Sequence, residues 1–188
     1  KIGLAVSKVT KSPQKAGNNI IFTISVQSGG VAPYFYRLTA ENSQGQMKTL
    51  YARNITKATN VKWRPTKAGT YKIHASVVDG NGNYNTRTVI YKITNPIKVS
   101  SFKANKKIVK RGKVVKFAFK ATSIGKVQYR IKVQKVGSKK ITIVGKYSTK
   151  RIKTWKAASK GKYYIYLQVK DAKGNTTTKK LSKPIRVK

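Results

Sequence analysis

Hydrophobic and polar residues alternate along most of this chain. Ile20, Phe22, Ile24 and Val26 are apolar, with Ile21, Thr23 and Ser25 between them. "VVKFAFKA", from Val114 to Ala121, repeats the pattern with Lys in the outward slots, and Tyr71, Ile73, Ala75 and Val77 alternate with Lys72, His74, Ser76 and Val78. A period of two buries one face of a strand and wets the other. Turn signals interrupt the runs at Ser28–Gly30, Asn42–Gly45, Asp79–Asn83, Gly137–Ser138 and Lys173–Asn175. No stretch holds a helical period. About seven short strands per copy, with turns about every 8–12 residues, predict an all-β chain folded as an antiparallel sandwich.

The pattern occurs twice. Trp63, Gly69, Tyr71 and Asp79 recur at an offset of 92 as Trp155, Gly161, Tyr163 and Asp171. Tyr36-Arg37 recurs as Tyr129-Arg130 at an offset of 93, and Gly17 and Phe22 as Gly112 and Phe117 at 95. Such drift is what loop insertions produce. The chain therefore reads as two tandem domains, 1–96 and 97–188, with Pro96 in the connector. Each copy, about 90 residues, is long enough for a core of its own. Trp63 and Trp155 are expected to end a strand with the indole over the core. Tyr71 and Tyr163 should occupy the following corner, where sandwich tyrosines hydrogen-bond back to the upstream backbone. Asp79 and Asp171 open hairpin turns in which Gly82 and Gly174 supply positive φ. By alternation Tyr36 and Tyr129 point inward.

The pieces "SPQKAG", "YFYRL", "VKWRPTKAGTY" and "VVDGNGN" of the first copy resemble the triple-tyrosine Ig-like module of clostridial and related Gram-positive surface proteins. The second copy keeps "YRIKV", "WKAASKGKYYIYLQVKD" and the Gly-Asn turn. It departs at "KKIVKRG", and has Val127 where the first has Tyr34. The resemblance implies two tandem Ig-like β-sandwich modules, not catalysts themselves, often attached to cell-wall hydrolases.

Charge adds a second theme. The chain has 43 Lys and Arg against 3 Asp and Glu, for a net +40. Residues 1–96 carry +12 and residues 97–188 carry +28. Solubility alone asks for a net charge of only about 2–8 on a small domain. An excess of this size gathers a protein on polyanions. Only eight of the cations are Arg, and Lys is a hydrated point charge, suited to diffuse attraction more than to bidentate readout. There is no Cys, so disulfides and thiolate sites are excluded. No apolar run is long enough for a transmembrane helix. The start at Lys1, without Met or a signal peptide, suggests an excised fragment or processed chain.

Candidate chemistry is sparse. His74, Glu41, Asp79 and Asp171 are the whole stock of imidazole and carboxylates, and the sequence gives no reason to bring two acids together. His74 faces outward and has Tyr166 as its counterpart, so it reads as a surface residue. "DGNGNYN" begins like a calcium loop but has Ile90 where a bidentate Glu belongs. A Lys–Asn isopeptide bond needs a buried acid that this inventory hardly supplies. Neither cofactor nor metal is expected. Tyr164 and Tyr166 face outward between Lys162 and Lys170, with Arg130 and Lys132 expected on a neighbouring strand. Aromatic faces among cations can hold an anionic glycan or a base.

These features predict a non-catalytic, extracellular module of a Gram-positive surface or cell-wall protein. It would space or position an attached domain and bind anionic wall polymer, teichoic acid first. The alternatives are an adhesin for sulfated host glycans, the targeting arm of a cell-wall hydrolase, and non-specific attraction to nucleic acid.

Overall fold

The computed structural model describes residues 2–188. It is built of strands and turns and divides into one unit ending at Asn95 and a second starting at Pro96.

The first unit contains β1 (Gly3–Lys8), β2 (Gln14–Lys15), β3 (Ile20–Ser28), β4 (Tyr34–Glu41), β5 (Met47–Ile55), β6 (Thr59–Trp63), β7 (Gly69–Val78) and β8 (Tyr84–Thr94). One sheet has the order β1-β3-β6 and the other β2-β8-β7-β4-β5. Their inner faces bury the alternating apolar set, including Phe22, Ile24, Tyr36, Leu38, Trp63, Ile73, Val77 and Tyr91. Three of these aromatics form one cluster: the Phe22 and Tyr91 rings meet edge-on at 5.3 Å, and Trp63 lies 6.3 Å from each.

The second unit contains β9 (Lys98–Ala104), β10 (Ile108–Val109), β11 (Val114–Thr122), β12 (Val127–Lys135), β13 (Ile141–Ser148), β14 (Ile152–Lys156), β15 (Gly161–Asp171), β16 (Thr176–Lys180) and β17 (Ile185–Val187). Its sheets run β14-β11-β9 and β10-β17-β15-β12-β13, with β16 also on β15. Phe117, Phe119, Tyr129, Ile131, Trp155, Tyr163, Ile165 and Leu167 are among the buried residues between them. Where the first unit has the continuous β8, the second has β16 and β17, separated by a stretch that ends at Pro184. Proline has no N–H to give to a ladder, so the strand breaks there.

The antiparallel plan has one exception in each unit. After β1 the chain crosses to the other sheet and β2 pairs with β8 in parallel; β10 pairs with β17 in the same way. A two-residue strand carries too little alternation to be legible in the sequence.

Tyr71 and Tyr163 close the corners. The Tyr71 hydroxyl donates to the carbonyl of Lys67 at 3.0 Å, and that of Tyr163 to the carbonyl of Ser159 at 2.9 Å. Trp63 meets Tyr71 edge-on at 5.0 Å, and Trp155 meets Tyr163 at 4.9 Å. Gly69 and Gly161 open the strands that follow each corner.

Asp79 and Asp171 hold the hairpins. Both are buried, 5% and 3% exposed. Asp79 accepts from the backbone N–H groups of Asn81, Asn83 and Val31 and from the Asn83 side chain. Asp171 accepts from the N–H groups of Lys173 and Asn175, the Asn175 side chain and the Ser123 hydroxyl. Gly82 and Gly174 stand at φ 79° and 85°, the left-handed turn position. Burial alone would raise each carboxyl; the donors outweigh it and hold both below their ordinary 3.8. A depressed carboxyl stabilises the fold above its unfolded value, and this contribution is lost as pH falls through the folded one. Equilibrium unfolding should therefore show stability declining below about pH 4. Asp171→Asn should be less stable at pH 7 and have a flatter acid limb; an acid limb unchanged by the substitution would show that Asp171 does not set it.

Candidate functional site: the outer face of the second large sheet

β15 lies between β12 on one side and β16 and β17 on the other, so its outward residues form the middle column of a broad face. Tyr166 stands opposite Lys132 of β12 and Lys180 of β16; Gln168 stands opposite Arg130 and Thr178. Tyr164 stands opposite Gln134. Lys162 faces Arg186 of β17, and Lys170 faces Thr176. Lys162 and Lys170 are exposed, whereas Tyr164, Tyr166, Arg130 and Lys132 are half-buried by their neighbours.

The rings are partnered. Lys180 Nζ lies 3.3 Å from the centroid of Tyr164, and Arg130 Cζ lies 4.3 Å from that of Tyr147. Arg130 Nη2 and Nε also donate to Gln168 Oε1 at 2.6 and 3.1 Å. The Tyr166 hydroxyl donates to Gln134 Oε1 at 3.0 Å. Cations held over ring faces keep their charge at the surface while their stems cover apolar area. The face is therefore an array of cations set among tyrosines, of which Lys180 and Arg130 are held over ring faces. Tyr164 has one ring face already taken by Lys180, so an incoming ligand meets a cation there.

No carboxylate interrupts this array. The one acid of the second unit, Asp171, is buried in its turn with four donors, against 29 Lys and Arg. Tyr147, Lys180, Gln134 and Gln168 belong to the face but were not predicted. Gln134 and Gln168 follow Lys132 and Tyr166 by alternation, whereas the place of Tyr147 and Lys180 depends on the registers of β13 and β16, and β13 has Ile141 and Ile143 outward and about half exposed, which blunts the alternation that marks a strand.

The matching face of the first unit is different. His74 Nε2 lies 2.6 Å from Glu41 Oε2 and Nδ1 lies 2.9 Å from the Thr88 hydroxyl; Lys72 Nζ is 3.6 Å from Glu41 Oε1. The hydrogen bond from His74 holds the Glu41 carboxyl below its ordinary 4.5 against the opposing effect of burial, and the charge of Lys72 adds a smaller push in the same direction as His74. His74 thus faces outward as read from the sequence, but it is tied in a relay that the sequence did not reveal. His74 and Thr88 line a hollow of about 480 Å³ together with strand residues such as Arg37, Thr39, Thr49 and Thr86. The relay is a surface hydrogen-bond network. Among the described residues no three His, Cys, Asp or Glu side chains group as a metal site would, and no helix is long and apolar enough to cross a membrane.

No family model and no curated protein sequence matches this chain. Among solved structures it is similar to the N-terminal eight Ig domains of Down Syndrome Cell Adhesion Molecule (13% identity, TM-score 0.41, covering 100% of this chain and 25% of that one). It is also similar to a two fibronectin type-III domain segment from chicken tenascin (13%, 0.41, 96% and 98%). A third is the adhesin InvE of Yersinia pseudotuberculosis (10%, 0.48, 95% and 58%). The chain spans a quarter of the first of these. The fold class is all-β: two tandem Ig-like antiparallel β-sandwiches.

Proposed function

We propose that the chain is a non-catalytic tandem Ig-like module of a secreted or surface protein. It spaces or positions an attached domain and holds it on an anionic wall polymer such as teichoic acid. The observation that supports this most is the outer face of the second large sheet, where Lys132, Lys162, Lys170, Lys180 and Arg130 surround Tyr164 and Tyr166 without an exposed acid. A polymer with a phosphate in each repeat meets several such cations at once. Lysine-dominated contacts of this kind are multivalent, weakly specific and sensitive to salt.

The test is a pull-down of the chain on purified Gram-positive walls, with and without teichoic acid stripped. Replacing Lys132, Lys162, Lys170 and Lys180 together with Gln should weaken binding by roughly a hundredfold, on a scale of about 1 kcal/mol per cation at an anionic surface, reduced for screening. Tyr164→Ala with Tyr166→Ala should weaken it less and leave the salt dependence unchanged, because the rings position cations and carry no charge. Walls that bind equally well after stripping would end the teichoic acid reading.

A further inference from the structure

A hollow of about 470 Å³ opens at one end of the second unit, between the turn joining β11 to β12 and the turn joining β13 to β14. Its polar lining is Thr122, Ser123 and Lys126 from the first turn, and Thr149 and Arg151 from the second. The side chains of Thr122, Lys126, Thr149 and Arg151 make no hydrogen bond or ion pair among the described residues. Ser123 is committed: its hydroxyl donates to Asp171 Oδ2 at 2.7 Å. Asp171 is the nearby acid; it is not part of the lining, and its oxygens accept from three donors of its own turn and from the Ser123 hydroxyl. Two cations and two hydroxyl-bearing residues, all four exposed, thus line one concavity from separate turns.

The two copies differ here for a physical reason. Tyr34 of the first unit is replaced by Val127 in the second. The Tyr34 ring packs 6.2 Å from Tyr36 and reaches the Gly30 backbone so closely that a Cβ on Gly30 would lie 3.0 Å from its Cε1. In the second unit Val127, which stands at the Tyr34 position, and Tyr129 are part of the lining of the hollow. The first-unit turn, Gln27 to Pro33, has no charged residue.

We propose that this hollow is an anion pocket for one tetrahedral oxyanion, a phosphate or sulfate ester, with Lys126 and Arg151 as its charge and Thr122 and Thr149 as its donors. Its volume exceeds that of a bare oxyanion and admits the sugar or glycerol unit that carries the ester. Arginine adds the bidentate geometry that lysine lacks. The pocket gives an otherwise diffuse polymer contact a fixed point. It rests on the polymer-binding reading for the source of the anion, but its own affinity is tested apart from walls.

The experiment is a titration of the full two-domain chain with inorganic phosphate, then sulfate, at constant ionic strength, followed by amide NMR shifts. Saturable shifts are expected at Ser123, Gly125, Lys126 and Arg151. Lys126→Gln with Arg151→Gln should weaken them by about tenfold or more, the scale of a lost charge-assisted hydrogen bond. Val127→Tyr restores the first-unit ring without changing any charge and should abolish them, whereas Lys162→Gln with Lys170→Gln should leave them intact. Shifts that do not saturate, that spread over the lysines, or that survive Val127→Tyr in a folded variant overturn the pocket. If Val127→Tyr does not fold, the Lys126 and Arg151 pair decides. Glycerol phosphate and a sulfated monosaccharide then separate the two sources by which saturates at lower concentration. Intact phosphate binding in a chain that ignores teichoic acid would sink the wall reading and leave the pocket standing.

Discussion

Trp155→Ala is expected to destabilise the second domain by about 3–5 kcal/mol, the cost of emptying a large buried aromatic site. Trp155 is 8% exposed, and its strand pairs it with Val115 at the core of the smaller sheet. Its indole also braces Tyr163, whose hydroxyl holds the corner through the carbonyl and side chain of Ser159. Removing it both opens a cavity and frees the corner. For a domain of this size each kcal/mol lowers the midpoint by about 4–8 °C, so a fall of more than about 10 °C is expected in the second-domain transition. The first domain packs Trp63 in its own core, so its transition should not move. A melting curve unchanged by Trp155→Ala would mean that the indole contributes nothing to the core.

The second domain, separated from the first, is expected to bind purified wall, teichoic acid or heparin at least about tenfold more tightly in 0.1 M salt. It carries +28 against +12, and the first domain's outer face places Glu41 among its cations. Each anionic group neutralised by a lysine releases a counterion, so affinity should fall steeply with salt. The Debye length contracts from about 10 Å at 0.1 M to about 3 Å at 1 M, and contacts held by surface charge should be largely gone by then. Equal binding by the two domains would leave the chain a spacer.

The alternation of Ile20, Phe22 and Ile24, or of Phe117, Phe119 and Ala121, was enough to place the core, because a strand with one wet face writes its burial into every second residue. The Trp-corner-Tyr-hairpin block was legible for a different reason: each residue serves the turn or strand beside it. What the sequence concealed depends on register between distant strands. Lys180 reaches Tyr164, Arg130 reaches Tyr147, and Glu41 reaches His74 only because β16, β13 and β4 pair as they do. The exchange of Tyr34 for Val127 was visible, but its consequence, an open hollow, required knowing what the ring had filled.

The short parallel pairs change how each unit would carry tension. β10, near the start of the second unit, lies beside β17 at its end, and the connection is made by Arg186 N to Lys107 O, Lys188 N to Val109 O and Arg111 N to Lys188 O, at 2.8–2.9 Å. Pulling the two ends of such a unit apart slides neighbouring strands past one another. The bonds across the seam are then strained together, not peeled one at a time. β2 and β8 form the same seam in the first unit. Resistance to a pull is set by the rate of unfolding, not by equilibrium stability. A module pulled by its two ends is loaded in this direction, and its endurance is expected to depend on these few bonds near its ends.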